Sequence, residues 1–146
     1  MNKFELKNIV LSYDHRDMQL LVIHSYLTRS YWSKGISQAL VAQAMDNSLC
    51  FGAFYQSKQI AFARVITDKT SFAYLADVFV LEEYQGLEVS KKLITFLMAH
   101  KDLQGLRRFM LCTADAHGLY QPFGFSAVKS PESLMAIHHA DIYENN

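Results

Sequence analysis

The stretch from Phe72 to Thr113 constrains the fold more than any other part of the chain. Phe72 to Leu81 is aromatic and β-branched, with Asp77 as its only charge, and reads as a strand. The polar loop Glu82 to Leu87 follows. From Val89 to His100 the apolar period changes to a helical one: Leu93, Ile94, Leu97 and Met98 fall on one face, and Lys91, Lys92 and Thr95 on the other. Gly105 marks a further loop, and Phe109 to Thr113 reads as a buried strand. A strand, a helix and a second strand in this order form a crossover, which should be right-handed and join parallel strands.

The flanking segments make the sheet mixed. Ile9-Val10-Leu11 is a short first strand. Asp17 is placed to cap a helix from Met18 to Leu27, and Ser37 a second from Gln38 to Asn47. Leu49 to Tyr55 and Ile60 to Thr67 read as a hairpin across the polar turn Gln56 to Gln59. After the crossover, Asp115 to Gln121 suits a short helix closed by Pro122 and Gly124. Phe125 to Val128 and Leu134 to His138 read as two last strands. The fold class is therefore mixed α/β: a mostly antiparallel sheet of six to seven strands flanked by about four helices.

The 146 residues suit one domain over 1–146 with a core of about 7–138. Lys plus Arg equals Asp plus Glu at 14 each, so no broad basic field exists for nucleic acid or an anionic membrane. Cys50 and Cys112 lie in apolar runs and read as buried free thiols of a reducing compartment. The polar start and the lack of a run near ~20 apolar residues suggest a soluble, cytoplasmic protein. His138-His139 has no partner at ligand spacing, and no metal is expected.

Two segments carry chemistry. A strand feeding a loop feeding a helix N-terminus can hold an anion, because first-turn N–H groups lack intrahelical partners and the helix dipole favours negative charge. Gly86 would let the backbone approach closely. The second segment is Leu119-Tyr120-x-x-Phe123-Gly124-Phe125. It resembles the LYxxFGF signature of the GNAT superfamily of acetyltransferases, and it follows the Tyr84-Gln85-Gly86 loop at the spacing of that family. The element order is similar along nearly the whole chain, from Lys7 to His138.

The resemblance implies an enzyme that moves an acetyl group from acetyl-CoA to a primary amine of a small molecule or peptide by direct attack. The strand Tyr74 to Val80 would splay from Phe109 to Thr113, and acetyl-CoA would wedge between them. The pantetheine arm would bond backbone groups at Phe79 and Val80, and the pyrophosphate would rest on Gln85, Gly86, Leu87, Glu88, Val89, Ser90 and Lys91. Tyr120 would protonate the departing thiolate, a role that suits a phenol. Phe123 and Phe125 would be core.

Asp77 and His117 are candidates to hold or deprotonate the amine, His117 standing one helical turn from Tyr120. Tyr31 and Trp32 lie in the loop that covers the acceptor in this family. A homodimer is compatible with the sequence. The family loop reads Arg/Gln-x-x-Gly-x-Gly/Ala, whereas here it is Gln85-Gly86-Leu87-Glu88-Val89-Ser90. Glu88 puts a carboxylate where a pyrophosphate would touch backbone. At ~4 Å and an effective dielectric near 20 such a contact costs on the order of 4 kcal/mol, unless the side chain turns to solvent. The alternative to the enzyme is a catalytically silent protein of the same fold that binds acyl-CoA weakly or acts through a partner.

Overall fold

The computed structural model describes residues 3–144. Five strands form one sheet: β1 (Val10–Ser12), β2 (Leu49–Tyr55), β3 (Lys58–Thr67), β4 (Phe72–Val80) and β5 (Arg108–Leu111). They lie in chain order; the first three pairings are antiparallel and β4–β5 is parallel. The helices are α1 (Leu20–Leu27), α2 (Gln38–Asp46), α3 (Val89–Met98) and the one-turn α4 (His117–Tyr120).

Two apolar layers sandwich the sheet. On one face Leu93, Ile94 and Leu97 of α3 are fully buried against Phe51, Ala61 and Val65. Each such side chain contributes about 1.5–3 kcal/mol by leaving water. On the other face Ile23 and Leu27 of α1 and Val41 and Met45 of α2 pack with Cys50, Phe62 and Phe79. The alternation of β3 supplies both layers, because successive side chains leave a strand on opposite faces.

Several boundaries differ from the sequence reading for local reasons. Asp17 does not cap α1; its carboxylate accepts from Ser12 Oγ at 2.6 Å inside a 3-10 turn. Gln19 occupies the cap position instead. Its N–H donates to the side chain of buried Gln59 at 2.8 Å, and its own Oε1 accepts from Gln59 N at 3.0 Å. This reciprocal pair ties the start of α1 to the β2–β3 hairpin. Gly52 leaves room for it: a Cβ there would stand 2.9 Å from Gln59 Nε2. Ser37 does cap α2, accepting from Leu40 N at 3.2 Å.

The hairpin turn holds two residues rather than four. Gln56 and Ser57 both take positive φ, 51° and 66°, the handedness that matches strand twist, so β3 starts at Lys58. The C-terminal part differs most. Segments 125–128 and 134–138 form no strand. The half-buried ring of Phe125 docks on Phe109, but Met135 and Ile137 are 96% and 92% exposed. Apolar alternation alone does not make a strand: neither segment pairs with β5, whose outer edge stays open among the described residues. Cys112, just beyond that strand, is exposed rather than buried; Cys50 is buried, and both thiols are free.

α3 stops at Met98, two residues before the expected end, because His100 turns to cap the next 3-10 turn, its Nδ1 accepting from Asp102 N at 3.1 Å. His100 is buried between Tyr13 and Phe51. Burial holds its pKa below the usual histidine value, with the Asp102 carboxylate opposing. A folded pKa below the unfolded one means that the neutral ring contributes stability above about pH 6.5. That contribution falls as pH drops through the folded value. Denaturant melts from pH 7.5 to 5 should therefore lose more stability in the wild type than in His100→Asn, whose amide can still cap Asp102. Equal losses would remove His100 from the acid sensitivity.

Candidate active site

β4 and β5 are paired only from Phe72/Arg108 to Leu75/Leu111. Beyond Leu75, β4 runs on to Val80 with no partner on that side, so a gap opens between the two parallel strands. A bulge at the apex of the gap causes the departure. Asp77 takes φ +56°, and the β3–β4 register shifts beside it. Aspartate tolerates this left-handed conformation better than most residues.

The Asp77 carboxylate is doubly held: Oδ2 accepts from Arg64 Nε at 2.9 Å and Oδ1 from Trp32 Nε1 at 3.0 Å. Arg64 reaches on to Ser48 Oγ at 3.1 Å. The side chains of Arg64 and Asp77 are only 15% and 11% exposed. Trp32 packs edge-on against Tyr31, with ring centroids 5.0 Å apart, so the α1–α2 loop is pinned over the bulge.

Tyr120 enters from the opposite face. It is 7% exposed, belongs to the α3-side core and packs against Phe125. Burial first, and the neighbouring Tyr31 second, raise its pKa above the usual phenol value. The hydroxyl therefore keeps its proton at neutral pH, and it has no hydrogen-bond partner among the described residues. His117 is exposed at the start of α4. Asp77, Trp32, Tyr31 and Tyr120 are thus brought together around the gap; His117 shares the helix of Tyr120 but not its burial.

A cavity of about 440 Å³ lies where the gap meets the start of α3. Val80, Gln85 and Gly86 line one part of it, and Glu88, Val89, Ser90 and Lys91 another. Gly118, Leu119 and Phe123 close the far wall, which ties the two sequence motifs to one site. The N–H groups of Val89, Ser90 and Lys91 take no acceptor among the described residues, and Glu88 offers no side-chain cap. These donors fit an anionic group. Two expected residues lie off the cavity: Leu87 is exposed, and the Phe79 ring stacks on Tyr26 at 4.1 Å inside the core, leaving only its backbone for a ligand. Gln85 already donates from Nε2 to the Val80 carbonyl at 2.9 Å, so that carbonyl is partly engaged. Arg29 fixes the loop by pairing with Glu82 while lying over the Tyr26 ring.

Comparison with known proteins decides the family. Residues 46–127, more than half of the chain, match the acetyltransferase (GNAT) domain. The chain belongs to the GNAT acetyltransferase family. A candidate GNAT acetyltransferase of Xanthomonas campestris pv. campestris, known as a crystal structure, is 49% identical with a TM-score of 0.90, over 92% of this chain and 96% of that one. A candidate acetyltransferase of Gibberella zeae is 28% identical over 134 residues, 76% of this chain and 75% of the relative. A candidate acetyltransferase of Clostridium acetobutylicum solved with acetyl-CoA shares 13% identity at a TM-score of 0.64, over 90% of this chain and 95% of that one, a likeness of fold alone. Acetyl transfer is therefore the class of chemistry of this GNAT protein. Among the described residues, no helix is long and apolar enough to cross a membrane.

Sequence reasoning missed Arg64 and the bulge. Arg64 is the lone charge of the apolar stretch Ile60 to Thr67, as Asp77 is of the next strand, and that symmetry was the available signal. Glu88 was seen but not its conformation. It takes φ +68°, ψ +12°, which favours the glycine usual in this family loop. A left-handed non-glycine residue costs about 1–2 kcal/mol, and the charge at the helix start returns about 0.3–1 kcal/mol. Glu88→Gly should thus raise stability, by up to about 1 kcal/mol, rather than weaken the helix start. Being exposed at the cavity mouth, Glu88 should change CoA affinity by only a few-fold, and less at high salt. Thermal melts and calorimetric titration of both proteins test this; a less stable glycine variant would refute the strain.

Proposed function

We propose that this GNAT protein is an N-acetyltransferase that uses acetyl-CoA and a primary amine of a small molecule or peptide. The observation that carries this reading is the shared cavity, which sets the free first-turn N–H groups of α3 beside the β4–β5 gap and the helix of Tyr120. When bound, acetyl-CoA supplies a thioester whose carbonyl carbon an amine can attack. The backbone N–H groups of Val89, Ser90 and Lys91 would hold the pyrophosphate, with Lys91 adding positive charge. The unpaired edge of β4 would hold the pantetheine amides. Tyr120 would give its proton to sulfur as the C–S bond breaks and the C–N bond forms. The acceptor arrives as an ammonium and sheds two protons in becoming an amide; one leaves to water before the nitrogen attacks, and the other re-protonates Tyr120. Asp77, fixed by Arg64 and Trp32, would orient the amine rather than serve as a mobile base. Tyr31 and Trp32 would cover the acceptor.

Acetyl-CoA should raise the melting temperature, since a ligand of the folded form alone stabilises it by about 2.7 kcal/mol at a hundredfold excess over Kd. A flat melting curve at millimolar acetyl-CoA would favour the silent, partner-dependent alternative that Glu88 suggests.

A further inference from the structure

A second cavity, of about 420 Å³, opens on the α1–α2 face of the sheet. Its polar floor is the Arg64–Asp77 pair with Ser48, and its walls are mostly apolar, from Ile36, Val41, Phe62 and Ile66 among others, with Ser33, Gln43 and Asn47 also lining it. Tyr143 completes one wall. The contact is close: a Cβ on Gly35 would stand 2.6 Å from the Tyr143 carbonyl oxygen, and Lys34 pairs with Glu144 at 3.4 Å. The last described residues thus seat on the α1–α2 loop and give the cavity a defined side. Its volume lies in the range of clefts that bury small ligands.

The floor specifies the chemistry. A guanidinium has five N–H donors. Arg64 uses one on Asp77 and one on Ser48, and the others take no acceptor among the described residues. Each Asp77 oxygen accepts one bond and keeps a lone pair. A ligand that satisfies both must offer an acceptor group, best a carboxylate, to Arg64 and N–H donors to Asp77. It must also carry an apolar body for the walls. Asp77 lines this cavity and is also the bulge residue of β4, two residues beyond the last β4–β5 pair, so an ammonium held there stands beside the gap.

We propose that this cavity is the acceptor site and that it takes a free α-amino acid with an apolar side chain, the ammonium on Asp77 and the carboxylate on Arg64. The proposal rests on the acetyl transfer argued above and narrows its acceptor. The α-amino nitrogen would form the new bond to the acetyl carbon as the thioester C–S bond breaks. The products are the N-acetylamino acid, the free thiol of CoA and one proton.

Calorimetric titration with leucine, methionine and phenylalanine should show saturable binding. Leucinamide, which lacks the carboxylate, and 4-methylpentanoate, which lacks the amine, should bind at least tenfold more weakly. Ala44→Phe, which fills the cavity from α2, should weaken leucine at least tenfold while leaving the melting shift by acetyl-CoA intact. Product analysis with acetyl-CoA separates the two claims. Leucine bound but never acetylated would sink the transfer reading and leave the site. Acetylation of peptide or diamine acceptors without amino-acid binding would overturn the site and leave the transfer. Leucinamide bound as tightly as leucine would overturn the role of Arg64.

Discussion

Replacing Tyr120 with phenylalanine is expected to lower kcat by about 10²–10⁴-fold, the usual worth of a positioned general acid, with little change in acetyl-CoA affinity. The hydroxyl acts only as the thiolate departs, so its loss belongs to the transition state and not to the ground-state complex. Packing should survive, because the ring fills the α3-side core beside Phe125 and the hydroxyl bonds no described group. The raised pKa adds a second readout. Burial keeps the phenol protonated past its ordinary range, so in the wild type no loss of activity below about pH 10 should trace to Tyr120. An unchanged kcat in Tyr120→Phe, on an acceptor that saturates, would remove it from the chemistry.

The parts of this site that local pattern specifies were legible in the sequence. The crossover was visible as a change of period between Phe72 and Thr113, and β4 and β5 are indeed parallel. The signature around Tyr120 and the loop at Gln85-Gly86 pointed to one site, and they line one cavity. Long-range partners were not legible. Nothing near Gln19 announces that buried Gln59, forty residues away, will replace Asp17 in organising the start of α1. Arg64 and Asp77 are each the odd charge of an apolar stretch, but their pairing depends on register, and a bulge sets the register. The expected strands near Phe125 and Leu134 failed for a related reason: composition allows a strand, but backbone pairing makes one, and neither segment pairs with the edge of β5. Conformation at single residues was hidden too, since Glu88 carries no sequence mark of its left-handed backbone.

The Arg64–Asp77 pair should be the costliest polar contact to break. Asp77→Ala leaves a guanidinium that is only 15% exposed with no counter-charge and takes the acceptor from Trp32 Nε1. Breaking such a pair by removing one partner costs about 3–5 kcal/mol. Alanine at φ +56° adds backbone strain that aspartate tolerates. Asp77→Asn separates these causes. Its amide oxygen can still accept from Trp32 and its backbone still tolerates the left-handed region, so the remaining loss reports the uncompensated charge of Arg64. Adding Arg64→Met to Asp77→Asn removes that charge, and the double variant should regain part of the stability lost by Asp77→Asn alone. Denaturant unfolding of the wild type, Asp77→Asn, Arg64→Met and the double variant measures the coupling. Simple additivity would mean that solvent screens the pair, and Arg64 would then not be what holds Asp77 fixed under the acceptor.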